Sequence, residues 1–150
     1  MRHGEAVSEI YDPRRPLTAA GGAAVDRLAR LALARAVRVS AIFHSGILRA
    51  QQTAEILARH LAPKAGVRPI AGLSPDADPE IAAGELAEAR DSVVLVGHLP
   101  HLGRLAALLV KGDSERETIH FQPAVMACLS RSGSEWTLAW TLEPDSDERS

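Results

Sequence analysis

Hydrophobic positions recur along the chain with two spacings, one typical of helices and the other of buried strands. Apolar residues repeat every three or four positions in four segments, which predict helices over residues 17–35, 49–62, 79–90 and 100–110. Short apolar runs predict strands over residues 37–43, 67–70, 92–97, 124–130 and 136–142. Helices alternating with buried strands are typical of an α/β domain with a largely parallel sheet.

Polar residues follow two of these predicted strands. His44 and Ser45 come after the strand at 37–43, and His98 comes after the strand at 92–97. Ligands of parallel sheets bind beyond the carboxyl ends of the strands. We therefore expect a functional site at this edge of the sheet.

Composition narrows the classes of protein that the chain fits. A length of 150 residues with 46% hydrophobic residues predicts one domain over residues 1–150, with a polar, frayed tail at 145–150. A net charge of −2 gives no basic excess for binding nucleic acid or an anionic membrane. No apolar run approaches the roughly 20 residues that span a bilayer, and no signal peptide precedes the first motif. The expected compartment is the cytoplasm.

Three segments carry residues suited to phosphoryl transfer: Arg2-His3-Gly4-Glu5, the run from Ser45 to Thr53, and Val96-Gly97-His98-Leu99-Pro100. The transferred group spreads negative charge over its oxygens, so its site needs fixed cationic donors. Arg2 and Arg49 supply guanidiniums that match phosphate geometry. His3 is a candidate nucleophile because neutral imidazole exists near pH 7. His98 is a candidate donor to the phosphoryl oxygens.

In their order along the chain, these motifs resemble those of the histidine phosphatase superfamily and, more narrowly, its SixA-type phosphohistidine phosphatase branch. Arg2-His3-Gly4 matches the RHG signature of the superfamily. Four further segments are similar to elements of the branch: Arg15-Pro16-Leu17-Thr18, Ser45 to Thr53, Leu73 to Pro79, and Val96 to Pro100. RHG alone is a weak signature, whereas the ordered set is specific and extends over nearly the whole chain.

The resemblance implies a three-layer α/β/α fold like that of phosphoglycerate mutase, with a largely parallel sheet and helices on both faces. It implies a metal-independent phosphatase with no organic cofactor, in which His3 is phosphorylated during turnover. Arg2, Arg49 and His98 would complete the phosphate pocket. The expected partner is a phosphohistidine-bearing protein or a small phosphorylated substrate, and neither nucleic acid nor a membrane.

Several neighbouring residues leave alternatives open. Glu5 is the nearest candidate for the acid that protonates a departing alkoxide, a demand that phosphohistidine eases because imidazole leaves as a neutral group. His44 either borders the pocket or packs at a strand end, and Ser45 either binds phosphate or caps the next helix. Arg14 and Arg15 are expected on a solvated loop, with contact to the substrate's phosphate or to the acidic face of a protein partner as the alternatives.

The start of the chain departs from the family pattern. In this family, the RHG histidine directly follows a central strand of several apolar residues, but only Met1 precedes Arg2 here. We therefore expect the first central strand to be missing from the sequence. A start placed at an internal Met or a truncated chain is favoured over another segment that fills the gap. Either would leave residues 1–5 poorly placed.

Three functions follow as hypotheses. The first is a phosphatase that releases phosphate from phosphohistidine on a protein, and the second is a phosphatase of small phosphate esters. The third is an inactive phosphate-binding or interaction module, made plausible by the absent strand. The presence of both His3 and His98 argues against the third, because an inactive module needs neither.

Overall fold

The computed structural model describes residues 1–146. Its helices are α1 (Ala19–Ala34), α2 (Leu48–Leu61), α3 (Pro79–Glu88) and α4 (His101–Lys111). Its strands are β1 (Ala41–His44), β2 (Val67–Pro69), β3 (Val93–Val96), β4 (Met126–Ser132) and β5 (Glu135–Leu142). Each predicted helix and strand is present, with its ends shifted. Most of the expected tail at 145–150 lies outside the described residues. In this part of the chain, no helix is long and apolar enough to cross a membrane.

Strand β1 lies at the centre of a three-stranded parallel sheet with the order β2-β1-β3. Ile42 pairs with Val67 on one side and with Val94 on the other. Strands β4 and β5 form an antiparallel hairpin whose two-residue turn is Gly133-Ser134. The expected α/β class with a parallel sheet is confirmed, and the antiparallel pair is confined to the C-terminal hairpin.

Successive side chains of a strand point to opposite faces of the sheet, and the two faces carry different helices. Ile42 of β1 belongs to a core cluster with residues of α1 and α2. Its neighbour Phe43 packs against a second cluster that contains residues of α3 and α4. Val94 and Leu95 of β3 divide between the same two clusters. Helices therefore cover both faces, as the three-layer expectation requires.

The first three residues run between β3 and β4 in an extended course. The Met1 amine donates to Leu95 O (2.8 Å), and Gly97 N donates to Met1 O (3.0 Å). His3 N donates to Gly97 O and Arg2 N to Val125 O, both at 3.1 Å. The expectation that these residues are poorly placed is wrong, because hydrogen bonds to both neighbouring segments fix them.

Beyond Met1, the space between β3 and β4 is a groove of about 610 Å³. Apolar side chains of several elements line it, among them Leu95, Leu105, Met126 and Trp140. The groove lies where the sequence led us to expect a missing central strand. Among residues 1–146, residues 1–3 supply the backbone pairing that joins the parallel sheet to the hairpin.

Helix α1 begins directly after Thr18, whose hydroxyl accepts a hydrogen bond from Gly21 N at 2.8 Å. Thr18 is therefore the N-cap of α1. Gly21 weakens the first turn of α1 by its conformational freedom, but the structure gives a reason for it. A Cβ at this position would collide with the carbonyl of Glu5. Glycine therefore lets α1 pack directly against the backbone that follows His3.

Candidate active site

His3 is buried at the carboxyl edge of the parallel sheet, beside Gly97. Its Nδ1 lies 2.7 Å from Gly4 O. A carbonyl oxygen accepts only, so Nδ1 carries the ring proton and Nε2 keeps its lone pair. The arrangement leaves Nε2 as a free nucleophilic atom.

His98 lies beside His3, with the ring centroids 5.0 Å apart and the planes tilted by 52°. Its Nε2 is 2.6 Å from Ser45 Oγ. The same hydroxyl oxygen accepts from Ile47 N at 3.2 Å. Ser45 therefore orients His98 and holds the turn before α2, whereas the N-cap position of α2 is Ile47.

Two guanidiniums of this region form no ion pair within residues 1–146. Arg2 donates from Nη1 to Phe121 O (2.9 Å), but its Nε is buried without a hydrogen-bond partner in the described chain. Arg49, in the first turn of α2, has a buried Nε that likewise lacks a partner there. Within residues 1–146, neither side chain forms an ion pair with a carboxylate. Buried, unsatisfied cationic donors of this kind favour an anionic ligand.

Thr53 connects the segment of His3, the candidate nucleophile, to the helix of Arg49. Its buried hydroxyl accepts from Gly4 N at 3.1 Å and donates to Arg49 O at 2.8 Å. Thr53 lies in the motif from Ser45 to Thr53 that the sequence marks. Its two hydrogen bonds could not be predicted from the motif, because they depend on tertiary contacts.

Arg15 also belongs to this neighbourhood, although a solvated loop was favoured for it. Its side chain is half-buried, and Nε donates to Val7 O at 3.1 Å. The backbone of Arg15 has a φ of +49°, a conformation that side-chain-bearing residues rarely adopt. Burial lowers the pKa of Arg49, and the charge of Arg15 lowers it further. Arg15 thus adds a third guanidinium near the candidate pocket.

The two central histidines are neutral at neutral pH. Burial is the main cause that lowers the pKa of His3 to about 4, and the charges of Arg49, Arg2 and Arg15 add to it. Burial likewise lowers the pKa of His98 to about 3, with contributions from His3 and Arg49. A neutral imidazole has the lone pair that nucleophilic attack requires.

Glu5 and His44 form hydrogen bonds with groups other than His3 and His98. The exposed Glu5 carboxylate accepts from Thr18 Oγ1 at 2.9 Å, at the start of α1. His44 is buried, and its Nδ1 accepts from Gly46 N at 3.0 Å, which holds the turn after β1. Phosphate binding by Glu5 and by His44 stays a prediction. No cluster of three side chains suited to a metal ion is found among residues 1–146.

Comparisons with known proteins bear on this site. Residues 1–74 match the histidine phosphatase superfamily (branch 1). A comparison with curated protein sequences finds no match. A solved structure of the protein histidine phosphatase SixA complexed with tungstate is 27% identical, with a TM-score of 0.85 over 96% of this chain and 94% of that chain.

Two further structures are similar over most of their lengths. One, assigned to SixA from Agrobacterium tumefaciens, is 25% identical, with a TM-score of 0.80 over 96% of this chain and 95% of that chain. The alpha-ribazole phosphatase from Shigella flexneri is 19% identical, with a TM-score of 0.74 over 95% and 94%. At that lower identity the likeness concerns the fold alone.

Proposed function

Because the chain belongs to the histidine phosphatase superfamily and is a phosphatase, as its motifs predicted, we propose that it hydrolyses phosphohistidine on a protein through a phosphorylated His3. The observation that carries the proposal is the free Nε2 of His3 beside guanidiniums that have no carboxylate partner in the described part of the chain. In this proposal, Arg2, Arg49 and Arg15 bind the phosphoryl oxygens. His98, oriented by Ser45, donates a hydrogen bond to them.

In the first step, the Nε2 lone pair of His3 attacks the phosphorus of the substrate. The bond from Nε2 to phosphorus forms as the bond from phosphorus to the substrate imidazole breaks, and its electron pair stays on the substrate nitrogen. When the phosphorylated imidazole carries a proton on its other nitrogen, it departs as neutral imidazole. The exchange between two imidazoles therefore requires no proton from the enzyme.

In the second step, a water oxygen attacks the phosphorus of phosphorylated His3. The new bond from oxygen to phosphorus replaces the bond to Nε2, whose electron pair returns to the ring. Both water protons leave with the product as dihydrogen phosphate, and His3 keeps its Nδ1 proton on Gly4 O. The guanidiniums of Arg2 and Arg49 offset the negative charge of the phosphoryl group throughout.

The choice of phosphohistidine over an ester rests on the demand for an acid. An alkoxide must be protonated as it departs, which a positioned acid accomplishes. Glu5 is the carboxylate next to the RHG segment. It is exposed, and it accepts a hydrogen bond from the Thr18 hydroxyl at the start of α1. The likeness to a protein histidine phosphatase supports the same choice.

A substrate panel tests the proposal. The protein is offered a phosphohistidine peptide and a set of phosphate esters, together with the variants His3→Ala and His120→Ala. His120 is exposed and serves as the matched control. We expect His3→Ala to abolish phosphate release from the peptide and His120→Ala to retain it.

The phosphorylated intermediate is checked separately by ³¹P NMR after an alkaline quench, which preserves phosphohistidine. Turnover that survives His3→Ala would contradict the role of His3. Activity on esters alone would contradict the substrate class and favour the small-ester phosphatase.

A further inference from the structure

The loop over residues 8–15, here called the tip loop, exposes two adjacent large apolar side chains. Ile10 is 89% exposed and Tyr11 is 86% exposed. The next most exposed large apolar side chain among residues 1–146, Leu33, reaches 52%. An isolated exposed apolar side chain is ordinary, whereas neighbouring ones mark a surface that contacts another molecule.

Hydrogen bonds within the tip loop hold its shape. Tyr11 N and Asp12 N both donate to Ser8 O, at 3.0 and 3.1 Å. Arg14 forms an ion pair with Asp12 at 3.0 Å, and Arg15 N donates to Asp12 O at 3.0 Å. Ile10 and Tyr11 are therefore presented to solvent from a defined backbone.

The base of the tip loop adjoins the candidate phosphate pocket. Val7 N donates to Pro16 O at 2.8 Å, which closes the loop, and Arg15 Nε binds Val7 O. Arg15 is close enough to His3 and His98 for its charge to lower the pKa of both. On a separate segment, Leu99 follows His98 directly and is 38% exposed.

We propose that the tip loop docks the polypeptide that carries the phosphohistidine, by covering Ile10 and Tyr11 with apolar residues beside the phosphorylated side chain. The inference rests on the proposed function and adds to it a preference for the flanking sequence. Asp12 pairs with Arg14, so the exposed Glu9 is the charged neighbour of the two apolar side chains. Arg15, at the base of the same loop, adds positive charge near the candidate pocket. A free phosphorylated amino acid fills the pocket and gains nothing from the tip.

Two phosphohistidine peptides test the docking surface. They differ only in the residues that flank the phosphohistidine, leucine in one and serine in the other, and free phosphohistidine serves as the baseline. We expect the protein to prefer the leucine-flanked peptide by about 10-fold in kcat/KM, an effect on the scale of burying one or two apolar side chains. The double variant Ile10→Ser/Tyr11→Ser should lose this preference and keep its rate on free phosphohistidine. Leu33→Ser, an exposed apolar residue of α1, is the matched control and should keep both.

Each other result overturns the inference or its premise. Equal rates on the two peptides, or an equal loss on all three substrates in the double variant, would contradict docking by the tip loop. Hydrolysis of esters without hydrolysis of phosphohistidine would contradict the proposed function. Phosphoserine peptides flanked by leucine or by serine would then test the tip loop separately. A preference for leucine that the double variant loses would support the docking surface. Equal rates on the two peptides would exclude it.

Discussion

The hydroxyl of Thr53 accepts a hydrogen bond from Gly4 N over 3.1 Å, which ties the segment of His3 to helix α2. The same hydroxyl donates to Arg49 O at 2.8 Å. One buried side chain therefore fixes the relative position of the residue that follows His3 and the helix that carries Arg49. The geometry of the candidate phosphate pocket depends on this link.

Replacing Thr53 by valine keeps the side-chain shape and removes the hydroxyl. Gly4 N would then be buried without a partner, which costs about 1 to 3 kcal/mol of stability. We expect Thr53→Val to lower the free energy of unfolding by that amount and to reduce kcat/KM, measured by urea denaturation and phosphate release. Thr53→Ser, which retains the hydroxyl, should keep most of the activity. Equal activity of the two variants would contradict a role in positioning.

The protonation of His3 gives a second prediction. Its pKa of about 4 keeps the ring neutral from pH 5 upward, so an NMR titration of the labelled imidazole should show no midpoint near 6.5. The folded state binds fewer protons than the unfolded state between these two values, so stability decreases as the pH falls through that window. Arg49→Gln removes one of the charges that lower the pKa and should raise it. A midpoint near 6.5 in the unaltered protein would contradict the burial argument.

Anion binding gives a third prediction. Inorganic phosphate should raise the melting temperature, and at 100 times its Kd the stabilisation is about 2.7 kcal/mol. Arg49→Gln should weaken this effect, because it removes a guanidinium that lacks an internal partner among residues 1–146. The exposed Arg59 lies on the same helix, and Arg59→Gln is the control. An equal response of both variants would indicate non-specific ion binding.

Two glycines in helices give a fourth prediction with opposite signs. A Cβ at Gly21 would collide with the carbonyl of Glu5, so Gly21→Ala should destabilise the protein by about 1 to 3 kcal/mol or more. Nothing lies within 4 Å of a Cβ at Gly84 in α3, where alanine should add up to about 1 kcal/mol. Thermal denaturation of the two variants checks both signs. A neutral Gly21→Ala would show that α1 can move away from Glu5.

The sequence predicted the parts of the fold that depend on local periodicity. Helical spacing predicted α1 to α4, and the apolar run at 93–96 predicted β3. The rule about strand ends placed Ser45 and His98 at one edge, and the structure brings them within 2.6 Å.

Features that depend on contacts between distant segments left weaker signals. Arg15 resembled a loop residue, because its link to Val7 and its influence on His3 arise only after folding. The fixed position of residues 1–3 was also unpredicted. Backbone amides, which have no sequence signature, supply the hydrogen bonds that hold them.

The pairing of residues 1–3 also makes the candidate pocket a late product of folding. The Met1 amine binds a residue 94 positions later, and Arg2 binds one 119 positions later. Contacts between segments this distant require closing a long loop, so they form after the local helices. Residues 1–74 contain His3 and Arg49 but lack Gly97 and Ala124, whose backbone groups hold His3 in place. His3 is therefore fixed only when the C-terminal half of the domain has folded against it.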